Sequence, residues 1–126
     1  ERRRGIELNY AVGQVDDVTR DLGKEEAEQM LIAYEPVWAI GTGLVATPQT
    51  AQDAAHGIRD HFGYVYGKAT ADTIPILYGG SVTSQNAMDL MDQAHDVDGF
   101  LVGGASLDPE EFSMIVRLTQ KAVHKR

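Results

Sequence analysis

Three apolar stretches decide the fold of this chain: MLIAY (30–34), TIPILY (73–78) and VDGFLV (97–102). The first is followed by Glu35-Pro36, the second by Gly79-Gly80 and the third by Gly103-Gly104. Nearly continuous apolar runs, rather than alternating ones, are typical of strands that are covered on both faces in a parallel sheet. We therefore predict three buried strands with abrupt ends.

Amphipathic segments separate and flank these strands. Apolar residues at steps of three and four predict helices over 3–22, from Thr47-Pro48 through Val65, over 83–93 and over 108–124. Thr47 is a suitable N-cap, and proline is favoured at the first helical position. The buried stripes are expected to contain Leu8, Val12, Val15, Val18 and Leu22 in the first helix, and Ala51, Ala54, Ala55, Ile58, Phe62 and Val65 in the second. The order α-β-α-β-α-β-α predicts an α/β fold of three parallel strands and four main helices, as one domain over residues 1–126.

The composition excludes several classes of protein. There is no Cys, and 11 Lys and Arg stand against 19 Asp and Glu, for a net charge of −8. A chain this acidic is a poor ligand for nucleic acid or an anionic membrane, and no apolar run reaches the roughly 18 residues that a membrane span needs. The four histidines lack metal-ligand spacing, so neither a metal nor a cofactor is expected. The missing Cys and the missing signal peptide indicate a cytoplasmic protein.

The strand ends are the expected functional edge, because parallel α/β folds bind ligands beyond the carboxyl ends of their strands. Glycine pairs at two such ends allow backbone N–H groups to approach a ligand, and helix N-termini favour anions. We interpret Gly79-Gly80-Ser81 and Gly103-Gly104 as a phosphate cradle. The plainer interpretation is that both are only tight turns.

Glu35 is the candidate acid or base. A carboxylate that leaves a buried strand is expected to be partly desolvated, which raises its pKa towards the range of a general base. The alternative is a strand-end glutamate that faces water. The loop after it, PVWAIGTGLVA (36–46), is apolar for a loop and carries two glycines. This mixture favours a lid that closes over a ligand, although a simply packed loop has a similar composition.

The run AYEPVWAIGTG (33–43), together with YGGSV (78–82) and DGFLVGGASL (98–107), resembles the triosephosphate isomerase family over essentially the whole chain. The resemblance implies a partial (βα)8 barrel, specifically a C-terminal half that starts after the fifth strand. It also implies the interconversion of glyceraldehyde 3-phosphate and dihydroxyacetone phosphate by proton transfer through an enediolate, which is an aldose-ketose isomerase reaction. The general roles of base, electrophile and closing loop in this enzyme are standard examples.

Residue roles follow from the same resemblance. Glu35 would be the base, and Gly41, Ser81, Gly103 and Gly104 would bind the phosphate of the substrate, or a phosphate or sulfate ion. Arg59 and Asp98 would form a structural ion pair. The lid and its closure would involve Pro36, Val37, Trp38, Ala39, Ile40, Thr42, Gly43, Ala46, Tyr78 and Leu101.

The resemblance also implies what this chain lacks. The family's Asn and Lys of the first strand and its electrophilic His of the fourth have no counterpart here. We therefore expect the isolated chain to be inactive or nearly so. Two open sheet edges predict a partner, either another copy of the chain or an N-terminal half-barrel. A non-catalytic half-barrel that self-assembles is the main alternative. A phosphate-binding half-barrel with other chemistry is a third, and the lid sequence argues against it.

Overall fold

The computed structural model describes the backbone of residues 2–37 and 45–123 and the side chains of residues 7–37 and 45–123. Helices and strands alternate, as the sequence predicts. In chain order the elements are α1 (Arg2–Thr19), α2 (Lys24–Ala27), β1 (Ile32–Tyr34), α3 (Pro48–Tyr66), α4 (Lys68–Thr73), β2 (Ile76–Tyr78), α5 (Ala87–Gln93), β3 (Gly99–Phe100), a 3₁₀ turn (Gly104–Leu107) and α6 (Pro109–Val123).

The three strands form one parallel sheet in the order β1-β2-β3, which confirms the predicted topology. Ile32 lies opposite Ile76, and Leu77 lies opposite Gly99. All three strands are shorter than predicted, and residues 68–73, just before β2, form α4. Gly67 separates α3 from α4 with a φ of 93°, a conformation that favours glycine.

Helix α3 is the centre of the core. Its start confirms the predicted cap, since the Thr47 side chain accepts a hydrogen bond from the Thr50 N–H and proline occupies the first position. The predicted apolar stripe is buried from Ala51 to Phe62. Val65, however, is 45% exposed, so its assignment to the stripe was wrong. One face of the helix is therefore buried from Ala51 to Phe62, whereas Tyr64 and Val65 near its end are exposed.

Helix α1 packs on α3 through a close contact. A Cβ on Gly57 would overlap the Leu8 side chain, so the missing side chain lets the two helices approach. The Tyr66 hydroxyl also donates to the carbonyl oxygens of Thr19 and Leu22, at 2.9 and 3.1 Å. Val18 was predicted to be buried but is 67% exposed, because it faces a cleft beside β1 and not α3.

Strand β1 is the element that departs most from the sequence prediction. Leu31 is 54% exposed and Ala33 is exposed as well, so the expectation of a strand covered on both faces is wrong here. The reason is that β1 is at the edge of the sheet, and no other strand of residues 2–37 and 45–123 pairs with its outer side.

Within these same ranges, no helix is long and apolar enough to cross a membrane.

Candidate active site

The carboxyl ends of the three strands lie side by side at one edge of the sheet. The Gly79 N–H donates to the Tyr34 carbonyl at 2.8 Å, and the Leu101 N–H donates to the Tyr78 carbonyl at 3.0 Å. These two bonds bring Glu35 next to Gly79, and they bring the Gly79-Gly80 turn next to the segment that leads to Gly103. The described part of the proposed site is thus one continuous rim, which we call the strand-end rim (residues 35–37, 78–81 and 101–104).

Glu35 leaves β1 against the backbone of Gly79. A Cβ placed on Gly79 would lie 2.5 Å from Glu35 Cγ, well inside normal contact distance, so only a glycine leaves room for the glutamate stem. The glutamate itself is exposed. The expected desolvation of this carboxylate is therefore wrong for this chain, because β1 is an edge strand and the rim is open to water on that side.

Tyr78 fills the space behind the rim. Its side chain is 1% exposed and lies across Gly80, where a Cβ would overlap the phenol ring. Burial raises the pKa of the Tyr78 hydroxyl, and the backbone N–H of Ala46, 3.3 Å from the hydroxyl oxygen, acts in the opposite direction. A neutral hydroxyl can accept from that N–H. Tyr78 therefore ties the end of β2 to Ala46, the last residue of the predicted lid.

The segment after β3 is open at its glycines. Nothing lies within 4 Å of a Cβ built on Gly103 or Gly104, and both residues are exposed. The chain then makes a 3₁₀ turn that the sequence analysis missed, in which the Ser106 N–H and hydroxyl donate to the Gly103 carbonyl at 2.9 and 2.6 Å. A serine three residues after a glycine pair is a weak signal, because serine caps many kinds of turn.

The Gly79-Gly80-Ser81 turn does not lead directly into a helix. Helix α5 begins at Ala87, not at residue 83 as predicted, so no helix N-terminus lies at this turn. Instead, the Ser81 carbonyl accepts from the Asn86 side chain at 2.9 Å, and the Thr83 N–H donates to the same side chain at 2.8 Å. An anion bound at Ser81 would therefore contact backbone N–H groups of a loop and not the N-terminus of a helix.

The predicted lid lies mostly outside the described residues. Pro36 is buried and Val37 is exposed, where the chain leaves β1. Ala46 is buried against Tyr78, as described above. The remaining predicted lid and phosphate residues of this loop lie outside the described ranges, namely Trp38, Ala39, Ile40, Gly41, Thr42 and Gly43. Leu101, the other closure residue, is 46% exposed at the rim.

An ion-pair network lies at the opposite end of the strands from the rim. The expected pair is present, with Arg59 Nη2 2.7 Å from Asp98 Oδ2. The Asp98 carboxylate also accepts from the Ile76 N–H at 2.8 Å, which joins β2 to the start of β3. The sequence analysis did not include Asp96, whose carboxylate contacts Arg59 Nε at 3.0 Å and Gln52 Nε2 at 2.6 Å.

Asp96 is held in its ionised form. Burial works to raise its pKa, but hydrogen bonds from Gln52 and His56 and the charges of His56 and Arg59 outweigh burial and keep the pKa below the ordinary value. Gln52, His56 and Arg59 are spaced by four and three residues. That spacing was the available signal, since it puts three polar groups on one side of α3.

A cleft lies beside β1. It has a volume of about 280 Å³, and it lies between α1 and the open edge of β1. Its walls include Tyr10, Gln14 and Val18 from α1 and Ile32 and Ala33 from β1, and it extends to Glu35 at the rim. The cleft therefore joins the open edge of the sheet to the candidate base.

Metal chemistry has no candidate site in the described ranges. Among residues 7–37 and 45–123, no three His, Cys, Asp or Glu side chains stand close enough together to hold a metal ion. The rim combines two exposed glycines, Gly103 and Gly104, with the exposed carboxylate of Glu35. Such a group can accept or return a proton, while N–H groups bind an anion.

Comparison with known proteins finds a family that this chain matches. A family model described as triosephosphate isomerase matches residues 1–119. The triosephosphate isomerase of Bifidobacterium longum (strain NCC 2705) is 60% identical over 126 residues, covering 100% of this chain and 47% of the relative. That of Bifidobacterium adolescentis is 59% identical over 119 residues, covering 94% and 45%. That of Candida albicans is 48% identical over 115 residues, covering 91% and 45%. The chain spans about half the length of these curated relatives.

Proposed function

This chain belongs to the triosephosphate isomerase family, and we propose that it is the C-terminal half of a barrel that interconverts glyceraldehyde 3-phosphate and dihydroxyacetone phosphate. In this proposal the chain supplies the base, the lid and the phosphate-binding backbone. The other half of the barrel supplies the electrophile. Family membership argues against the third hypothesis, a half-barrel with unrelated chemistry. A role in glycolysis and a cytoplasmic location are part of the proposal and rest on the family.

Glu35 is the proposed base, and it would carry a proton between C1 and C2 of the triose phosphate. The observation that carries this proposal is the fit of Glu35 against Gly79, where any Cβ would collide with the glutamate stem. The missing side chain of Gly79, at the end of β2, thus leaves space for the Glu35 side chain to extend over the rim. Precise placement matters here, because a displacement of about 1 Å can reduce a rate by about 100-fold.

The phosphate group of the substrate is proposed to bind backbone N–H groups of Gly41, Ser81, Gly103 and Gly104. Support comes from the open backbone at Gly103 and Gly104, which have no neighbour within 4 Å of a Cβ position. Tyr78 and Ser81 would hold the closed lid. The hydrogen bond from the Ala46 N–H to the Tyr78 hydroxyl supports this role for Tyr78.

Water must be excluded from the base during proton transfer, and we assign this task to Ile40 and Leu101. Leu101 supports the assignment because it is a large apolar residue left 46% exposed at the rim. A lid that covers it would bury that surface as it closes over the substrate. Closure of this kind strengthens the electrostatic interactions inside a site.

The isolated chain is proposed to be inactive or nearly so. An enediolate needs a hydrogen-bond donor at its developing charge, and loss of one such donor costs about 10²–10³ in rate. In this account the donor comes from the missing half. The exposure of Glu35 fits the same picture, since a base that is open to water lacks the enclosed surroundings of a complete site.

A complementary half-barrel is the proposed partner, and both sheet edges can receive it. The Ile32 N–H and the Tyr34 carbonyl bond towards β2, so the N–H and carbonyl of Ala33 point to the open side, as strand alternation requires. The cleft of about 280 Å³ lies beside this edge. Beyond β3, helix α6 leaves Phe112 and Val116 exposed. Edges of this kind favour pairing with another chain.

Complementation tests the proposed function. The chain is mixed with the segment of the Bifidobacterium longum relative that it does not cover, and isomerase activity is followed in a coupled assay. We expect activity from the mixture, its loss in Glu35→Gln and its retention in Glu25→Gln, which changes an exposed glutamate far from the rim. Activity that survives Glu35→Gln at the original level would refute the assignment of the base.

Self-assembly without catalysis is the alternative, and the open edges at β1 and β3 favour it equally. Its net charge of −8 opposes it, because like-charged copies repel each other. Sedimentation distinguishes the two. A clean monomer at micromolar concentration counts against the self-assembling half-barrel, and a stable oligomer that does not respond to the added segment counts against the half-enzyme.

A further inference from the structure

Glu111, in the first turn of α6, binds the loop that follows β2. Its Oε1 accepts a hydrogen bond from the Ser84 N–H at 2.6 Å, and its Oε2 accepts one from the Ser84 hydroxyl at 3.0 Å. Both residues are half-buried. Hydrogen bonds to a carboxylate are stronger than those between neutral groups, and two of them fix the orientation as well as the distance. The loop is therefore anchored to α6 at Ser84.

The anchored loop carries Ser81, three residues before Ser84. The Asn86 side chain ties the two parts of the loop together, since it accepts from the Thr83 N–H at 2.8 Å and donates to the Ser81 carbonyl at 2.9 Å. The Ser81 peptide is thus held against the turn at 83–86. Glu111 holds that turn against α6, so the position of Ser81 depends on Glu111.

The backbone of Glu111 connects to the segment that follows β3. Asp108 comes directly after the 3₁₀ turn that begins at Gly104, and its Oδ1 accepts from the Glu111 N–H at 3.2 Å. Glu111 therefore joins the loop of Ser81 to the segment of Gly103 and Gly104. These are two arms of the proposed phosphate cradle.

We propose that Glu111 is a positioning residue that fixes the two arms of the phosphate cradle relative to each other, an inference that rests on the proposed function. Its charge opposes the binding of an anion, because like charges repel. Its contribution is geometric. It keeps the Ser81 N–H in place relative to Gly103 and Gly104, so that N–H groups of both arms converge on one phosphate group.

Titration of the 126-residue chain with inorganic phosphate, followed by the amide NMR signals of Ser81 and Gly104, tests this role. Glu111→Ala removes the anchor, and we expect the phosphate affinity to fall about three- to tenfold, the effect of about one misaligned hydrogen bond. Glu111→Gln keeps the anchor, since its amide oxygen can accept from the Ser84 N–H and its amide nitrogen can donate to the Ser84 hydroxyl. With the geometry kept and the negative charge removed, this variant should bind phosphate at least as tightly as the unaltered chain.

Glu110→Ala is the matched control. Glu110 is exposed in the same first turn of α6, so its substitution removes the same charge without touching Ser84. It should not weaken phosphate binding. Ser84→Ala removes one of the two bonds to Glu111 and should weaken binding less than Glu111→Ala does. Urea unfolding midpoints verify that each variant is folded during the titration.

Three outcomes of the titration would overturn the proposal. They are an unaltered chain whose Ser81 and Gly104 signals do not respond to phosphate, equal affinities in Glu111→Ala and Glu110→Ala, and a loss in Glu111→Gln as large as that in Glu111→Ala.

The complemented mixture separates this inference from the proposed function. There Glu111→Ala should raise the KM for glyceraldehyde 3-phosphate about three- to tenfold and change kcat by less than about twofold, because the phosphate grip weakens while Glu35 stays in place on β1. An active mixture whose KM does not respond contradicts the positioning role alone. An inactive mixture, together with the expected titration results, contradicts the proposed function alone.

Discussion

Strands β1 and β2 have the same length and pair residue for residue, yet their residues differ in burial. Along β2 the residues are buried, half-buried and buried, whereas their paired residues along β1 are half-buried, exposed and half-buried. Both runs look equally apolar in the sequence. The difference is that, within the part of the chain that the structure describes, β2 has a strand on each side and β1 has a strand on one side only. The region around β2 and α3 is thus a packed interior. The region around β1 is unfinished, because the strand is covered on one side only.

This contrast separates stability from function. The interior around β2 holds the chain together, and the candidate base stands at the end of the unfinished strand. The two regions meet only at the strand-end rim, where Glu35 rests on Gly79. Substitutions in the interior should therefore change stability, and substitutions at the rim should change the chemistry of the reconstituted enzyme.

Phe62→Ala should give the largest effect on stability. Phe62 is 1% exposed on α3 and its ring lies 5.8 Å from that of Tyr66. Loss of a buried phenylalanine costs about 3–5 kcal/mol, through lost burial and the cavity left behind. Urea unfolding followed by far-UV circular dichroism measures it. Tyr64→Ala, at a residue that is 90% exposed on the same helix, should cost under about 0.5 kcal/mol. Equal costs would mean that α3 is not the centre of the core.

Gly57→Ala should come next. The added methyl would overlap Leu8, and overpacking of this kind costs about 1–3 kcal/mol, of which the helix preference of alanine offsets about 1 kcal/mol. We therefore expect a net loss of up to about 2 kcal/mol. Gly13→Ala is the control, because nothing lies within 4 Å of a Cβ there and alanine favours a helix by about 1 kcal/mol over glycine. The two glycine variants should thus move the free energy of unfolding in opposite directions. The double variant Gly57→Ala with Leu8→Ala should recover part of the loss caused by overlap.

Asp96→Asn should have a smaller effect that depends on pH. Because the pKa of Asp96 is lowered in the folded chain, its carboxylate stabilises the fold above the ordinary value of 3.8, and that contribution disappears as the pH falls through the lowered value. We expect a loss of about 1 kcal/mol at pH 6 and convergence of the two chains once the pH falls below the lowered pKa of Asp96. Unfolding midpoints across pH measure this, with Asp21→Asn as the exposed control. A constant difference at all pH values would contradict the role of the charge.

Gly79→Ala should change stability least, by under about 1 kcal/mol, since the group in its way is the Glu35 side chain, which can move into solvent. The reconstituted activity should nevertheless fall by about 100-fold, because the base is pushed out of position. Coupled assays on the complemented mixture check this, and unfolding midpoints check the fold. Unchanged activity would show that the contact between Glu35 and Gly79 is not needed to position the proposed base.

The sequence predicts the periodic parts of this fold well. The stripe on α3 from Ala51 to Phe62 and the Thr47-Pro48 cap follow from local rules, and the structure has both. The sequence could not reveal that Leu31 and Val18 are exposed. An apolar residue gives the same sequence pattern whether or not the chain itself supplies the residues that would cover it. Helix α4 was missed for a different reason: KATADT (68–73) has no apolar stripe long enough to show a period.

The candidate site was predictable in its residue types and less so in its surroundings. Glu35 at a strand end and glycine pairs at the next two are visible in the sequence. The fit of Glu35 against Gly79 and of Tyr78 across Gly80 depends on strand register, which no local pattern encodes. The Asp96 network was missed because Gln52, His56 and Arg59 are 37 to 44 residues away from it. Long-range polar pairs of this kind leave only a weak spacing signal.

This chain has a packed interior, and we propose that its active site is unfinished without a second half-barrel. The most direct test is the isomerase rate of the pure 126-residue chain, measured in a coupled assay with glyceraldehyde 3-phosphate on a sample whose helical content is verified. We expect a rate at least about 10³-fold below that of the full-length Bifidobacterium longum relative. A rate within tenfold of that relative would show that the rim works without its other half, and it would contradict the account.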